Sequence, residues 1–136
     1  MMIIQHGEKK TGVLEDEASR AAFAEMGKFN DQLKKSGILL AMDGLTPVDQ
    51  GTRFTYKGGK TSRTDGPFAE AKEVIAGYWM IEVKSREEAL EWAARVPAAA
   101  MEGAMLEVRR VVEIADFPED IQKKFAEKGA KLGNQK

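Results

Sequence analysis

Apolar residues recur along this chain in two rhythms, one at every second position and one at every third or fourth. Met2-Ile3-Ile4-Gln5-His6 is a short apolar run closed by Gly7 and charges, which predicts a first strand. Residues 8–15 are mostly polar and read as a loop. From about Asp16 to Ser36, Ala22, Phe23, Met26, Phe29 and Leu33 fall at three- and four-residue intervals, the signature of one helical stripe. Asp16 suits the cap of that helix and Gly37 its left-handed stop.

Ile38 to Met42 is too short for a second helix between flanking glycines and fits a strand. Leu45-Thr46-Pro47 then leads out to an edge or bend, because proline would break a central ladder. Arg53 to Lys57 and Lys60 to Thr64 flank Gly58-Gly59, a two-residue hairpin signal in which both turn positions need positive φ. Val74 to Val83 is the most apolar stretch and is expected to be the central strand. Ser85-Arg86-Glu87-Glu88 has the capping-box spacing and opens a helix whose inner face should carry Ala89, Leu90, Ala93 and Val96, with Pro97 ending it. Leu106 to Ile114 reads as the last strand.

Two helices set among antiparallel strands give an α+β fold, the ferredoxin-like split β-α-β sandwich, over residues 1–115. Residues 116–136 are an addition: Asp116-Phe117-Pro118-Glu119 starts a helix with Ile121, Phe125 and Leu132 on a narrow apolar stripe. Both helices of such a sandwich cover the same sheet face. Yet the strand from Val74 is apolar on both sides, with Ile75, Gly77, Trp79 and Ile81 against Ala76, Tyr78 and Met80. A homodimer pairing sheet against sheet supplies the missing cover. Such a seam would enclose Glu107 and Arg109, which must pair with each other or meet water or a ligand.

Composition narrows the chemistry. The chain has 136 residues, one domain's worth, and no cysteine, which excludes disulfides and thiol catalysis. With His6 as the one histidine, no metal site is expected. Net charge is −1 from 21 basic and 22 acidic residues, so no broad field favours nucleic acid or an anionic membrane. No signal peptide or membrane span is legible, and a cytoplasmic protein is expected. Gly58-Gly59 leads into no helix and is no phosphate loop; Tyr78 and Trp79 lack interleaved basic residues; Met101 to Met105 reads as a connection.

The stretch of most chemical interest is TDGPFAEAKE, residues 64–73. Proline cannot sit within a regular element here, so Asp65-Gly66-Pro67-Phe68 forms an elbow between the hairpin and the central strand. In one reading Asp65 caps the turn by accepting from the N–H of Phe68, Gly66 supplies backbone freedom, and Phe68 plugs into the core. In the other, the same rigid elbow presents Asp65 at a cleft for acid/base work or as a ligand anchor, with Gly66, Pro67, Phe68, Lys72, Tyr78, Glu107 and Arg109 around it.

TDGPFAEAKE, followed by VIAGYWMIEVKSREEALEWAARVP and EVRRVVE, resembles the DGPF branch of the YCII-related family, and the similarity of organisation runs over about residues 1–115. The resemblance implies a ferredoxin-like domain that dimerises into an α/β barrel, and a bacterial source. It implies no settled activity. Genes beside those of extracytoplasmic-function sigma factors hint at regulation, whereas a histidine approaching the motif aspartate in other members hints at enzymes. Here the first helix offers Phe23, Met26 and Phe29 in place of a histidine, so the resemblance carries no His–Asp dyad onto this chain. Two functions stand open: a cofactor-independent homodimer that binds an unknown small molecule, with Asp65 as anchor or general acid/base, and a regulatory or interaction module without chemistry.

Overall fold

The computed structural model describes residues 1–6, 17–68 and 74–129. In chain order these form β1 (Met2–His6), α1 (Glu17–Ser36), β2 (Leu39–Gly44), β3 (Thr52–Lys57), β4 (Lys60–Asp65), β5 (Val74–Ile81), α2 (Arg86–Ala94), β6 (Ala104–Val108) and α3 (Glu119–Glu127). Asp16, Lys72 and Leu132, each given a role above, lie outside the described residues.

Four strands make an antiparallel sheet in the order β2-β5-β1-β6, compatible with the ferredoxin-like plan. The described residues form an open sheet and no closed barrel. β5 is central, as its apolar character on both sides requires. Trp79 sits opposite Met2 on one side and Met42 on the other. Beneath the helices, Met2, Phe29, Leu33 and Trp79 are buried, with Trp92, Ala93, Val96, Leu106 and Val108 packed around them. The Phe29 ring meets the Trp79 ring edge-on at 5.5 Å. Full burial of each such side chain stabilises the fold by roughly 1.5–3 kcal/mol. Trp79 Nε1–H donates to Asn30 Oδ1 at 2.7 Å, so the indole is buried without stranding its one polar atom.

Several boundaries differ from expectation for legible reasons. The stripe of α1 follows Ala22, Met26, Phe29 and Leu33; Phe23, a hundred degrees further round, is 65% exposed. On α2 the inward residue is Trp92, and Leu90 points out. Ser85 Oγ accepts from Glu88 N–H at 3.1 Å as a cap should, but the Glu88 carboxylate accepts from Lys84 N–H, one residue earlier than a capping box would have it. β6 stops at Val108. Its ladder with β1 closes in the mutual pair between Met1 and Arg109, after which Arg110 turns to Asp116 at 2.5 Å. Val111 and Val112 are consequently exposed, and the alternation expected up to Ile114 ends. A register shift between Ile4 and Gln5 sets Ile75 beside Gln5, away from the Trp79 side to which simple alternation assigns it.

The hairpin turn is as expected. Gly58 and Gly59 have φ of 58° and 72°, and β3 pairs with β4 from Thr52↔Asp65 to Lys57↔Lys60. This pair is a separate two-stranded sheet. α3 follows a short turn at Ile114–Asp116, where Asp116 accepts from Glu113 N–H, and packs its Phe125 ring 5.8 Å from that of Phe117.

Candidate functional site

The predicted site residues fall into two groups. Asp65, Gly66, Pro67 and Phe68 form the elbow at the base of the β3–β4 hairpin. Tyr78, Glu107 and Arg109 belong to the four-stranded sheet and the segment just past it.

At the elbow, Asp65 Oδ1 accepts from Thr52 Oγ1 at 2.9 Å and from Arg63 Nε at 3.0 Å. Both donors belong to the hairpin itself. The cap on Phe68 N–H is therefore replaced by a clamp across the first rung of the ladder, where Thr52 and Asp65 face each other. Gly66 N–H donates to Gly51 O at 2.9 Å, and a Cβ on Gly66 would lie 2.7 Å from Val48 O and 2.9 Å from Asp49 O. Close backbone approach, rather than freedom of φ, is what excludes a side chain there. The Gly66–Pro67 peptide bond is cis. Phe68 is half-buried outside the central core, its ring 3.9 Å beneath the Arg53 guanidinium. Every piece of the motif thus grips the root of the hairpin.

On the sheet face away from α1 and α2, Tyr78 O–H donates to Asp43 Oδ2 at 3.0 Å. That bond and the carboxylate's charge raise the phenol above its usual range. Across β1, Gln5 Nε2 donates to Glu107 Oε2 at 3.2 Å, while Arg109 Nε stands 3.8 Å from Glu107 Oε1. The expected Glu107–Arg109 pair forms, loosely and in reach of water.

A cavity of about 830 Å³ opens at one end of the sandwich. Met80, Val83, Ala89, Leu90, Val108 and Val111 give it apolar walls, and Lys84, Arg86, Arg109 and Arg110 bring four cations against the acids Glu82 and Glu113. Arg110 is engaged by Asp116, which raises the guanidinium and holds the carboxyl below its ordinary range. Among the described residues Lys84 and Arg86 have no salt-bridge partner. Met1 lines the cavity too, and partial burial lowers its ammonium pKa. Of the described residues singled out by sequence as site residues, Arg109 alone lines this cavity, and it was expected beside Asp65 at a dimer seam. The signal available was the run Val108 to Glu113, whose mixed apolar and charged residues no strand face could hold.

The elbow and the cavity lie toward opposite ends of β5, with Tyr78 and Glu107 between. The hairpin leaves after Gly44 and returns before Val74, whereas the cavity gathers residues from Ile81 to Leu90 and from Val108 to Glu113. Met80 and Ile81, at the end of β5, line the cavity, whereas Gly44, after which the hairpin leaves, pairs with Gly77 and the chain re-enters at Val74. Among the described residues Arg63 bonds to Asp65, whereas Tyr78, Glu107 and Arg109, expected around it, bond elsewhere. These residues also include no helix long and apolar enough to cross a membrane, and no group of three His, Cys, Asp or Glu placed to hold a metal.

The architecture defines a class: a two-layer α+β domain with one helix-covered sheet face, an inserted hairpin and a terminal cavity. Comparison with known proteins places it further. Residues 1–115 match the YCII-related domain, and the chain belongs to that family. It is similar to an uncharacterised protein of Rhizobium meliloti (strain 1021), 26% identical over 108 residues, which covers 79% of this chain and 87% of that protein.

Proposed function

We propose that this protein is a homodimer that binds a small anionic molecule in the cavity at the end of the sandwich, with Lys84, Arg86 and Arg109 as its cationic anchors. The cavity carries the reading. Its volume, about 830 Å³, falls within the ~300–1,000 Å³ of small-molecule sites, and its apolar walls with a few converging charges are the usual composition of such sites. Two of its four cations have no protein counter-ion among the described residues, which favours a carboxylate- or phosphate-bearing ligand. Dimerisation is supported by the sheet face opposite the helices, which exposes Ile75 and Met105.

Asp65 has a different job in this reading. Its acceptor bonds come from its own hairpin, and it does not line the cavity. That observation favours the elbow as a structural device, as in the interaction-module alternative, with Asp65 as a strut and not a general acid/base.

Thermal shift against a panel of small carboxylates and phosphates tests both points. A ligand at about a hundred times its dissociation constant stabilises by ~2.7 kcal/mol, several degrees in a chain of this size. Arg109→Gln should reduce that shift without changing the unliganded melting temperature, and neutral analogues should give none. A panel that leaves the protein unmoved, or a shift that survives Arg109→Gln together with Arg86→Gln, refutes the cavity. Asp65→Asn should lower the unliganded melting temperature and leave the ligand shift intact; the reverse pattern would return the anchor role to Asp65.

A further inference from the structure

The β3–β4 hairpin is a surplus element in the isolated chain. All six residues of β3 and all six of β4 are exposed. A two-stranded hairpin without cover is marginal at best in water, yet this one is carefully built. Gly58 and Gly59 take the mirror-turn conformations, Asp65 clamps the base, and Arg53 stacks on Phe68 to fix the angle at which it leaves the domain.

Its two faces differ. Thr52, Phe54 and Tyr56 share one face with Asp65, Arg63 and Thr61; Arg53, Thr55 and Lys57 share the other with Thr64, Ser62 and Lys60. On the first face Phe54 is 54% and Tyr56 75% exposed. A second uncovered apolar surface lies on the sheet, where Ile75 is 48% and Met105 52% exposed on either side of Gln5. One charge pairing is available: Arg63 shares the aromatic face of the hairpin, while the sheet face holds the acids Asp43 and Glu107, the latter only loosely engaged by Arg109.

We infer that the hairpin is an arm that reaches a second copy of this chain and lays its Phe54/Tyr56 face on that copy's open sheet, bringing Arg63 to the partner's Glu107. Arg63 uses Nε for Asp65, and the two terminal nitrogens of its planar fork are left for a second carboxylate. The polar cluster of Gln5, Glu107 and Arg109 is then incomplete in one chain and completed by the other. Six residues per strand give an arm roughly 20 Å long, enough to cross four strands spaced about 4.8 Å apart. Two symmetric arms would bury on the order of 800 Å² before any other contact, a large share of the ~1,200–2,000 Å² of a stable interface. This inference rests on the dimer reading above and adds what holds the dimer together.

The absence of cysteine makes the test clean, since a single introduced thiol is unique. Sedimentation velocity over a dilution series compares the wild type with Phe54→Ser/Tyr56→Ser, which replaces two exposed side chains. The dimer dissociation constant should rise about tenfold or more, as when interface aromatics are truncated, with no loss of secondary structure. Arg63→Glu should weaken the dimer similarly and Glu107→Arg in the same chain should restore part of it. A benzophenone on Tyr56→Cys should cross-link to residues near Ile75 and Met105 of a different, isotope-labelled chain. If the wild type dimerises and the aromatic variant does so at the same concentration, or if cross-links form only within one chain, the arm is refuted and the dimer stands. If the wild type sediments as single chains throughout, both fall.

Discussion

Gly66→Ala and Gly27→Ala make the same chemical change at two positions and should have opposite signs. At Gly66 the new Cβ would meet Val48 O at 2.7 Å and Asp49 O at 2.9 Å, with Asp49 C at 3.1 Å. All three are backbone atoms, so no side chain can swing aside and the elbow itself has to move. Overpacking of this kind costs ~1–3 kcal/mol. Moving the elbow also strains the Gly66 N–H to Gly51 O bond, worth ~0.5–1.5 kcal/mol if lost. Against this stands the ~0.4–1 kcal/mol gained from a less flexible unfolded chain. The balance is a destabilisation of about 1–3 kcal/mol, or roughly 3–10 °C in melting temperature. Gly27 lies within α1, and a Cβ there meets nothing within 4 Å. Alanine should stabilise it by ~0.8–1 kcal/mol through helix propensity alone. Urea denaturation at neutral pH measures both, and the slope m should be unchanged in each. If Gly66→Ala proves neutral or stabilising, or if the two variants shift in the same direction, close packing at the elbow is not what the glycine is for.

Leu33→Ala, at a side chain with no exposed surface, should cost ~2–5 kcal/mol, while Leu90→Ala on the outward side of α2 should cost well under half as much in the same urea assay. Asn30→Ala leaves the Trp79 N–H without its acceptor and should cost ~1–3 kcal/mol, with a change in tryptophan fluorescence that Asn30→Asp largely avoids. Asp116 is held below the ordinary carboxyl range by Arg110 and by Glu113 N–H. Its contribution is therefore present above the unfolded carboxyl pKa and lost as pH falls through the lower folded value, so Asp116→Asn should flatten the acid limb of stability against pH. Tyr78 is raised by Asp43, so its share persists below the usual phenol pKa and is lost as pH rises through the higher folded value; Asp43→Asn should bring its ultraviolet titration back down toward the usual phenol range.

The elements that were legible from sequence are those whose partners are local in the chain. The α1 stripe from Met26 to Leu33, the Ser85 cap and the Gly58-Gly59 turn each rest on residues within a few positions of one another, where spacing is geometry. β5 as the central strand was legible from composition alone, because a strand apolar on both sides has few other places to go. What failed was phase and length. One bulge at Ile4/Gln5 carries Ile75 to the other face, and strict alternation cannot register an extra residue. β6 ended early because its ladder depends on β1 a hundred residues away, and nothing between Leu106 and Ile114 signals where that ladder closes.

The candidate site shows the same division more sharply. DGPF announced an elbow, and an elbow formed, but the sequence could not say which way its aspartate would face. The deciding partner, Thr52, stands thirteen residues earlier across a hairpin whose register is fixed at the far end by Gly58-Gly59. Once that register is set, Asp65 must lie opposite Thr52, and Gly66 must pass the carbonyls of Val48 and Asp49. The motif is thereby explained by the hairpin it anchors. Elbow and hairpin are one construction, so the exposed aromatics at the hairpin's middle, Phe54 and Tyr56, rather than the acid at its root, are the place to look for what the elbow serves.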